Sequence, residues 1–221
     1  GAKRVLVSAP SDGADKTIVF KVNHDTLTAD DVVVSNGSCT TNVLAPVAKV
    51  LNDLCGIERG YMTTVHAYTG DQPTQDTVHK DLYRARAAAL SMIPTSTGAA
   101  NAIGRVLPEL KGKLHGSSIR VPTPNVSVID LAVSTSREVS IDEVNDAIRQ
   151  TAAGAMSGVL AFTTEPLVSV DLNHRTESSI VALPQTDVVD GRMVRVLAWY
   201  DNEWSFATRM ADTAVAMAKL I

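Results

Sequence analysis

Short apolar runs separated by turn residues occupy the early part of the chain. The pattern predicts strands over residues 4–7, 17–22 and 31–34. Between residues 40 and 55 the apolar side chains recur at helical spacing, and Gly56 is a usual helix stop. A further strand is predicted over residues 60–69, so the order is strand, crossover helix, strand.

Longer strands dominate the later part of the chain. The pattern predicts helices over residues 99–110, 140–153 and 202–221, and strands over residues 115–123, 125–136, 159–162, 168–172, 178–183 and 193–200. Ser140 and Glu143 have the spacing of a capping box at a helix start. We therefore expect an α/β crossover followed by a mostly antiparallel sheet, which is an α/β and α+β fold.

A polar stretch over residues 70–97 lacks sustained periodicity. Loops of this length inside compact domains are usually functional or mobile. Residues 81–86 concentrate cationic side chains, among them Arg84, in an otherwise acidic protein. A solvated surface run and an anion site are both open interpretations of this segment.

Composition narrows the class of protein. The 221 residues, 45% hydrophobic and 20% charged, can form one sizeable core. The formal net charge of -4 gives no broad basic field, so nucleic acid is not expected as the main partner. No apolar run reaches the roughly 20 residues that cross a bilayer, and no secretory signal is seen, so no membrane partner is expected. The two cysteines form no disulfide framework, which favours a cytoplasmic location.

Cys39 stands at a predicted strand-to-helix corner, inside the polar octet SNGSCTTN over residues 35–42. The first N–H groups of a helix have no internal partner, so this position favours a thiolate and lowers the pKa of the thiol. Ser38 and Thr40 add hydroxyl and N–H groups that can cap the helix or hold an anion. The competing interpretation is a small buried cysteine beside an N-cap.

His66 lies near the carboxyl end of the strand that follows the crossover helix. In a parallel arrangement, strand ends and helix starts meet at the same edge of a sheet, so Cys39 and His66 can face each other. A thiolate and an imidazole in contact are suited to nucleophilic catalysis. Taken alone, His66 is equally compatible with a hydrogen-bonded core histidine.

Two further features suit anions. Thr97 and Gly98 open a predicted helix, where backbone N–H groups bind phosphate, although helix capping explains Thr97 equally well. Arg120 lies inside an apolar strand, where an unpaired guanidinium is costly. Arg120 is therefore either part of a structural ion pair or a phosphate ligand.

Motifs spread along the whole chain carry a family resemblance. They are SNGSCTTN over residues 35–42, TTVHA over 63–67, PTSTGAA over 94–100, RVPTPNVS over 120–127 and WYDNEW over 199–204. In order and spacing the chain closely resembles phosphorylating glyceraldehyde-3-phosphate dehydrogenases. The resemblance covers essentially all 221 residues. The related erythrose-4-phosphate dehydrogenases share several of these motifs.

The resemblance implies three parts of a fold. Residues 1–38 are expected to be closing strands of an incomplete dinucleotide-binding Rossmann domain, and residues 39–201 a catalytic domain with a large, mostly antiparallel sheet. Residues 202–221 are expected to form a C-terminal helix that returns to the dinucleotide-binding domain.

The cofactor fingerprint is not found in the sequence, because no G-x-G-x-x-G follows a strand. We expect it to precede Gly1, and we expect residues 1–221 alone to be inactive or nearly so. The C-terminal helix is then expected to expose an apolar stripe, made of Phe206, Met210, Ala214 and Met217.

The activity implied is oxidation of glyceraldehyde 3-phosphate to 1,3-bisphosphoglycerate in glycolysis, with inorganic phosphate and NAD, through a thioester on Cys39 and with His66 as base. NADP stays open as cofactor, and a homotetramer is implied, with residues 81–86 in a loop that contacts cofactor and neighbouring subunits. Asn202 matches the family's nicotinamide ligand, and no metal ligand is assigned. The residues matching the family's ligands for the substrate phosphate are Thr69, Asp71 and Arg120, and those for inorganic phosphate are Ser38, Thr40, Arg84, Thr97 and Gly98.

Other functions remain open from the sequence. An erythrose-4-phosphate dehydrogenase would use the same chemistry on a longer substrate. A truncated, non-catalytic interaction module would keep the fold without the reaction. A cysteine-histidine thioester hydrolase or protease is disfavoured, because a peptide cleft has no need of phosphate ligands around the cysteine.

Overall fold

A computed structural model of the chain describes residues 1–73 and 75–220. Thr74, in the predicted loop, and Ile221, at the end of the last predicted helix, lie outside the described residues. The helices are α1 (Cys39–Cys55), α2 (Ala99–Val106), α3 (Ile141–Ala153) and α4 (Trp204–Ala218). The strands are β1 (Val5–Val7), β2 (Lys16–Thr17), β3 (Val33–Ser35), β4 (Ile57–Ala67), β5 (Ile93–Ser96), β6 (Leu114–Val121), β7 (Ser127–Thr135), β8 (Leu160–Thr163), β9 (Ser179–Ala182), β10 (Asp187–Val189) and β11 (Met193–Tyr200).

The strands form two sheets. A small parallel sheet has the order β1-β3-β2, and a large sheet has the order β5-β6-β4-β7-β11-β9-β8, with β10 paired to β11. In the large sheet β4 pairs with β6 and β8 with β9 in parallel, and the other pairings are antiparallel. The predicted α/β and α+β fold with a large, mostly antiparallel sheet is therefore confirmed.

Helix α1 is the central element of the core. Its apolar side chains, from Val43 to Leu51, are almost fully buried, and α1 contacts α2, α3 and strands of the large sheet. The helix ends at Gly56, whose φ of 65° is a conformation that favours glycine. Burial on several sides explains why its sequence carries few charged residues.

The helix α1 joins the two sheets. Strand β3, before Cys39, pairs with β1 and β2, whereas β4, which carries His66, pairs with β6 and β7. The expectation that these two strands lie in one parallel arrangement is therefore wrong. Each strand already has a partner on both edges, so α1 carries the chain from one sheet to the other.

Several predicted boundaries differ from the structure. The strand expected over residues 17–22 ends at Thr17, because the chain then turns and Lys21 adopts a φ of 61°. Helix α2 ends at Val106, and Pro108 begins a separate short 3₁₀ helix because proline cannot donate to the preceding turn. Residues 169–172 are a 3₁₀ helix instead of a strand, with the Asp171 carboxylate accepting from the Val168 N–H at 2.9 Å.

Helix α4 buries its more polar face. Its buried residues are Ser205, Arg209, Thr213 and Met217. Of the predicted apolar stripe, Phe206 and Met210 are half-buried, Ala214 is exposed and Met217 is buried. Trp204 and Val215 are also half-exposed, so α4 presents apolar side chains outward. Among the described residues, no helix combines the length and apolar content required to cross a membrane.

Candidate active site

Cys39 is the first residue of α1, and the corner that holds it is fixed by hydrogen bonds. The Ser38 hydroxyl accepts from the Thr41 N–H at 3.0 Å, which caps the helix. The Asn42 side-chain amide donates to the carbonyl oxygens of Asn36 and Ser38 at 2.8 and 2.9 Å. The chain on both sides of Gly37, whose φ is 66°, is thereby tied to the first turn of α1.

His66 approaches Cys39 from the large sheet. The Nε2 atom of His66 lies 3.5 Å from the Cys39 sulfur, and the His66 side chain is only 2% exposed. The structure thus brings the predicted nucleophile and the predicted base into contact. The contact arises between a helix start and a strand of the large sheet, by a different route from the shared sheet that the sequence suggested.

Arg120 lies beside His66 on the neighbouring strand. The parallel register of β4 and β6 places the two residues opposite each other. Nη1 of Arg120 lies 2.6 Å from Nδ1 of His66 and donates to the carbonyl oxygen of Ala67 at 3.0 Å. Within the described part of the chain no carboxylate forms an ion pair with Arg120, and its buried Nε has no hydrogen-bond partner. The arginine therefore carries a charge that an anion can compensate.

The electrostatics of the pair differ from the sequence-based expectation. Burial raises the pKa of the Cys39 thiol, and this outweighs the hydrogen bonds from Thr40 and the positive charge of Arg120, which lower it. Burial and the Arg120 charge lower the pKa of His66 to about 4. The expected thiolate is therefore not favoured at neutral pH. The free-energy cost of removing a charged sulfur from water is larger than the stabilisation of that charge by the helix start and its N–H groups.

Tyr200, which sequence reasoning missed, lies beneath the pair. Its side chain is fully buried, and its hydroxyl lies 3.0 Å from the Thr40 hydroxyl and 2.9 Å from the Thr64 hydroxyl. The Tyr200 ring meets the His66 ring edge-on at 5.8 Å. Tyr200 therefore connects the residue after Cys39 to the strand of His66. The only sequence signal was its place in the motif WYDNEW.

The predicted hydroxyl ligands already have partners within the protein. Ser38 caps α1, and Thr40 contacts Tyr200. The Thr97 hydroxyl accepts from the Ala99 N–H at 3.2 Å, and Gly98 is the exposed N-cap residue of α2. Thr97 therefore lies one residue before the N-cap, and its hydroxyl bonds the first N–H of α2 without capping the helix in the usual way. An anion at these positions would also need the backbone N–H groups.

Arg84 has a different setting from Arg120. Its guanidinium forms ion pairs with Asp71 and Asp81, and its Nε donates to the Thr95 hydroxyl at 2.8 Å. The backbone N–H of Thr69 donates to the side chain of Gln72 at 2.9 Å. The predicted ligands of two different phosphates, Asp71 and Arg84, are therefore paired with each other.

A cavity of about 690 Å³ lies between the loop after β4 and the start of α4. Thr69, Asp71 and Glu203 are among its lining residues. Asn202 is buried next to Glu203, where its Oδ1 accepts from the Ser127 hydroxyl at 2.8 Å and its Nδ2 donates to Glu203 at 3.3 Å. The side-chain amide of Asn202 is of the type that bonds a nicotinamide carboxamide.

Comparisons with known proteins show the family to which the chain belongs. Residues 38–202 match the family described as glyceraldehyde 3-phosphate dehydrogenase, C-terminal domain. Similar curated proteins carry the name glyceraldehyde-3-phosphate dehydrogenase: one from Cereibacter sphaeroides is 70% identical over 221 residues, one from Xanthobacter flavus is 68% identical over 220 residues, and one from Zymomonas mobilis is 56% identical over 223 residues. Each comparison covers 100% of this chain and 66% of the relative, so the chain spans just under two thirds of their length.

Proposed function

Because the chain belongs to the glyceraldehyde-3-phosphate dehydrogenase family, in its C-terminal domain, we propose that the protein containing it oxidises glyceraldehyde 3-phosphate to 1,3-bisphosphoglycerate. Inorganic phosphate is the second substrate, and NAD is the hydride acceptor. One observation carries this proposal: the Cys39 sulfur lies 3.5 Å from Nε2 of His66 beside an arginine that has no carboxylate partner among the described residues.

Cys39 is the nucleophile in the proposed reaction. Its sulfur attacks the aldehyde carbon after losing its proton to His66, and a hemithioacetal forms on the sulfur. His66 returns that proton to the oxygen of the adduct and accepts it again as hydride leaves the carbon, while the backbone N–H of Cys39 and the ring of His66 stabilise the oxygen. The pKa of His66, lowered to about 4, keeps the imidazole neutral near pH 7, which is the form that can accept a proton, but it also makes the imidazole a weaker base than a free histidine.

The thioester is resolved by phosphate. An oxygen of inorganic phosphate attacks the acyl carbon, the carbon–sulfur bond breaks, and the Cys39 thiolate is released with the acyl phosphate product. The proposed ligands of the attacking phosphate come from the starts of α1 and α2 and from the loop before β5, and they are Ser38, Thr40, Arg84, Thr97 and Gly98. Helix N-termini suit this task because their N–H groups point outward.

The substrate phosphate is assigned to Arg120, with Thr69 and Asp71 nearby. Arg120 supports this assignment, since its guanidinium is half-buried and has no carboxylate partner within the described residues. A phosphate there would meet both the charge and the buried Nε donor. Asp71 contributes by orienting Arg84 and the loop, because two anions in direct contact would repel each other.

Asn202 is the proposed ligand of the nicotinamide carboxamide. Its amide is buried next to Glu203, which lines the cavity beside the loop after β4, and its donor and acceptor atoms match a carboxamide. NAD, when bound, accepts the hydride that leaves the hemithioacetal carbon. The role of Asn202 is to orient the nicotinamide toward Cys39, and NADP is the alternative cofactor.

We further propose that the full-length protein is a homotetramer in the cytoplasm. The observation in favour of an assembly is a group of apolar side chains in the loop after β4 that are between 67% and 83% exposed: Leu82, Tyr83, Leu90 and Met92. A second copy of the chain that covers these residues would remove them from water.

The test is an assay of the full-length protein for reduction of NAD. We expect reduction that needs both glyceraldehyde 3-phosphate and inorganic phosphate and that falls by at least roughly 10³-fold in Cys39→Ser. Activity that survives in Cys39→Ser would overturn the proposal. A higher kcat/KM for erythrose 4-phosphate would keep the reaction class and replace the substrate.

A further inference from the structure

Ser127 joins the strand of His66 to the proposed nicotinamide ligand. It is the first residue of β7, and its side chain is buried. Its hydroxyl accepts from the Ala67 N–H at 3.0 Å and donates to Oδ1 of Asn202 at 2.8 Å. The hydroxyl therefore connects the residue that follows His66 on β4 with the amide that lies just before α4.

The side-chain amide of Asn202 can adopt two orientations, which differ by exchange of Oδ1 and Nδ2. In the observed orientation Oδ1 accepts from Ser127, and Nδ2 donates to the Glu203 carboxylate at 3.3 Å. The reversed orientation would place the amide oxygen against that carboxylate and would leave the hydroxyl hydrogen of Ser127 without its acceptor. Because Glu203 is exposed and its contact is the longer one, the buried hydroxyl of Ser127 holds the amide more firmly.

The observed orientation leaves bonding capacity on both atoms of the Asn202 amide. A side-chain amide has two N–H donors and two oxygen lone pairs. Among the described residues, Ser127 and Glu203 occupy one lone pair and one donor. A donor and an acceptor remain, and a nicotinamide carboxamide offers the complementary acceptor and donor. A reversed amide would exchange the two and present like groups to the carboxamide.

The turn before Ser127 is held in an unfavourable conformation. Val126, which is buried, has a φ of 68°, where a β-branched side chain is rarely found. Nδ2 of Asn125 donates to the Asp201 carboxylate at 2.9 Å, and that carboxylate also accepts from the Trp204 N–H at 2.8 Å. The turn is thereby tied to the start of α4. Such strain persists where the surrounding contacts fix the backbone, and here those contacts set the place of the Ser127 hydroxyl.

We propose that Ser127 is a positioning residue for the cofactor: its hydroxyl fixes the orientation of the Asn202 amide, which then recognises the nicotinamide carboxamide. The inference rests on the proposed function, which assigns Asn202 to the nicotinamide. Loss of the hydroxyl would leave the amide held by Glu203 alone and the buried Ala67 N–H without this acceptor. Recognition of the nicotinamide should weaken, and binding of the rest of the cofactor should not.

The test is isothermal titration calorimetry of the full-length protein with NAD and with ADP-ribose, which lacks the nicotinamide. We expect Ser127→Ala to raise the Kd for NAD about tenfold and to leave the Kd for ADP-ribose within about twofold of the wild-type value. Ser127→Cys, a second variant of nearly the same shape with a weaker donor, should raise only the Kd for NAD, by about threefold.

Ser118→Ala is the matched control. Ser118 is another buried serine of the large sheet, and its hydroxyl has no hydrogen-bond partner within the described part of the chain. This variant should change neither Kd. An equal rise for both ligands in the two Ser127 variants would show a general structural role of the hydroxyl and overturn the proposal. A Kd for NAD that stays at the wild-type value in both variants would overturn it as well.

Asn202→Ala separates this inference from the proposed function. A loss of NAD affinity in Asn202→Ala that neither Ser127 variant shares would contradict the positioning role of Ser127 and leave the nicotinamide ligand in place. Wild-type affinity for NAD in Asn202→Ala would contradict the proposed nicotinamide ligand, and the role of Ser127 with it.

Discussion

Two arginines near the candidate active site have opposite surroundings. Arg120 extends from the carboxyl end of β6, the strand next to the edge of the large sheet, contacts a buried histidine, and has no carboxylate partner in the described part of the chain. Arg84 belongs to the loop after β4, where two aspartates and a threonine hold it. The charge on Arg120 acts on Cys39 and His66 in a region that little water reaches, while the charge on Arg84 is compensated locally. The uncompensated charge is therefore the one that acts on the candidate nucleophile and base, and the compensated charge is not.

The largest loss of activity is expected for a substitution of His66, on the strand that contacts the start of α1. His66→Asn keeps the size and polarity of a core side chain but removes the base, so kcat/KM for the aldehyde should fall by roughly 10²- to 10⁴-fold. Steady-state kinetics of full-length protein test this. A loss below tenfold would mean that His66 is a structural histidine and that the contact with Cys39 has no catalytic role.

The same histidine should make folding sensitive to pH. Its pKa is about 4 in the folded chain and near 6.5 when unfolded, so the unfolded state binds more protons between these values. The free energy of unfolding should therefore fall as the pH drops from 6.5 to 4, by about 3 kcal/mol. Urea unfolding across this range measures the change. His66→Asn serves as the control, and an equal pH dependence in that variant would contradict the assignment.

Replacement of each arginine by glutamine should lower kcat/KM by different amounts. Arg120→Gln removes the half-buried charge that we propose binds the substrate phosphate, so kcat/KM for glyceraldehyde 3-phosphate should fall by roughly 10- to 100-fold. Arg84→Gln removes a charge that Asp71 and Asp81 already compensate, so the effect should be smaller, about tenfold or less. Kinetics with varied aldehyde and varied phosphate separate the two. Equal losses in both variants would break the contrast.

Tyr200→Phe is expected to have a smaller effect. It removes one hydroxyl that joins Thr40 on α1 to Thr64 on β4 and leaves those two hydroxyls without that partner. The free energy of unfolding should fall by about 1–3 kcal/mol. Thermal unfolding detects the loss, and Tyr61→Phe, an exposed tyrosine on the same strand as His66, is the matched control. An unchanged stability would mean that the hydroxyl contacts are not maintained in solution.

Local patterns predicted the elements that carry the nucleophile. The polar octet before an apolar helical run placed Cys39 at the start of α1, and β11 was predicted with the bounds that the structure has. Side-chain pattern alone did not reveal β5, because a four-residue strand containing Pro94 resembles a loop. The 3₁₀ helix at residues 169–172 was taken for a strand, because its apolar residues alternate with polar ones.

The sequence predicted which residues belong to the candidate site better than it predicted how they are arranged. Sequence spacing indicated that Cys39, His66 and Arg120 matter, but strand register is a tertiary property, and it alone places Arg120 opposite His66. The burial that raises the pKa of Cys39 also depends on the whole core. A helix start offers N–H groups that favour a thiolate, but removal of the sulfur from water opposes it, and only the folded core determines how large that cost is. Tyr200 was hidden because its partners are distant in sequence.

The central claim is that Cys39 and His66 act as one unit. The most direct test is the rate of Cys39 alkylation by iodoacetamide as a function of pH, in the wild-type protein and in His66→Asn. The account predicts that the wild-type thiol reacts at lower pH than the variant thiol, because only the wild type has a base 3.5 Å from the sulfur. Superimposable pH profiles in the two proteins would contradict it.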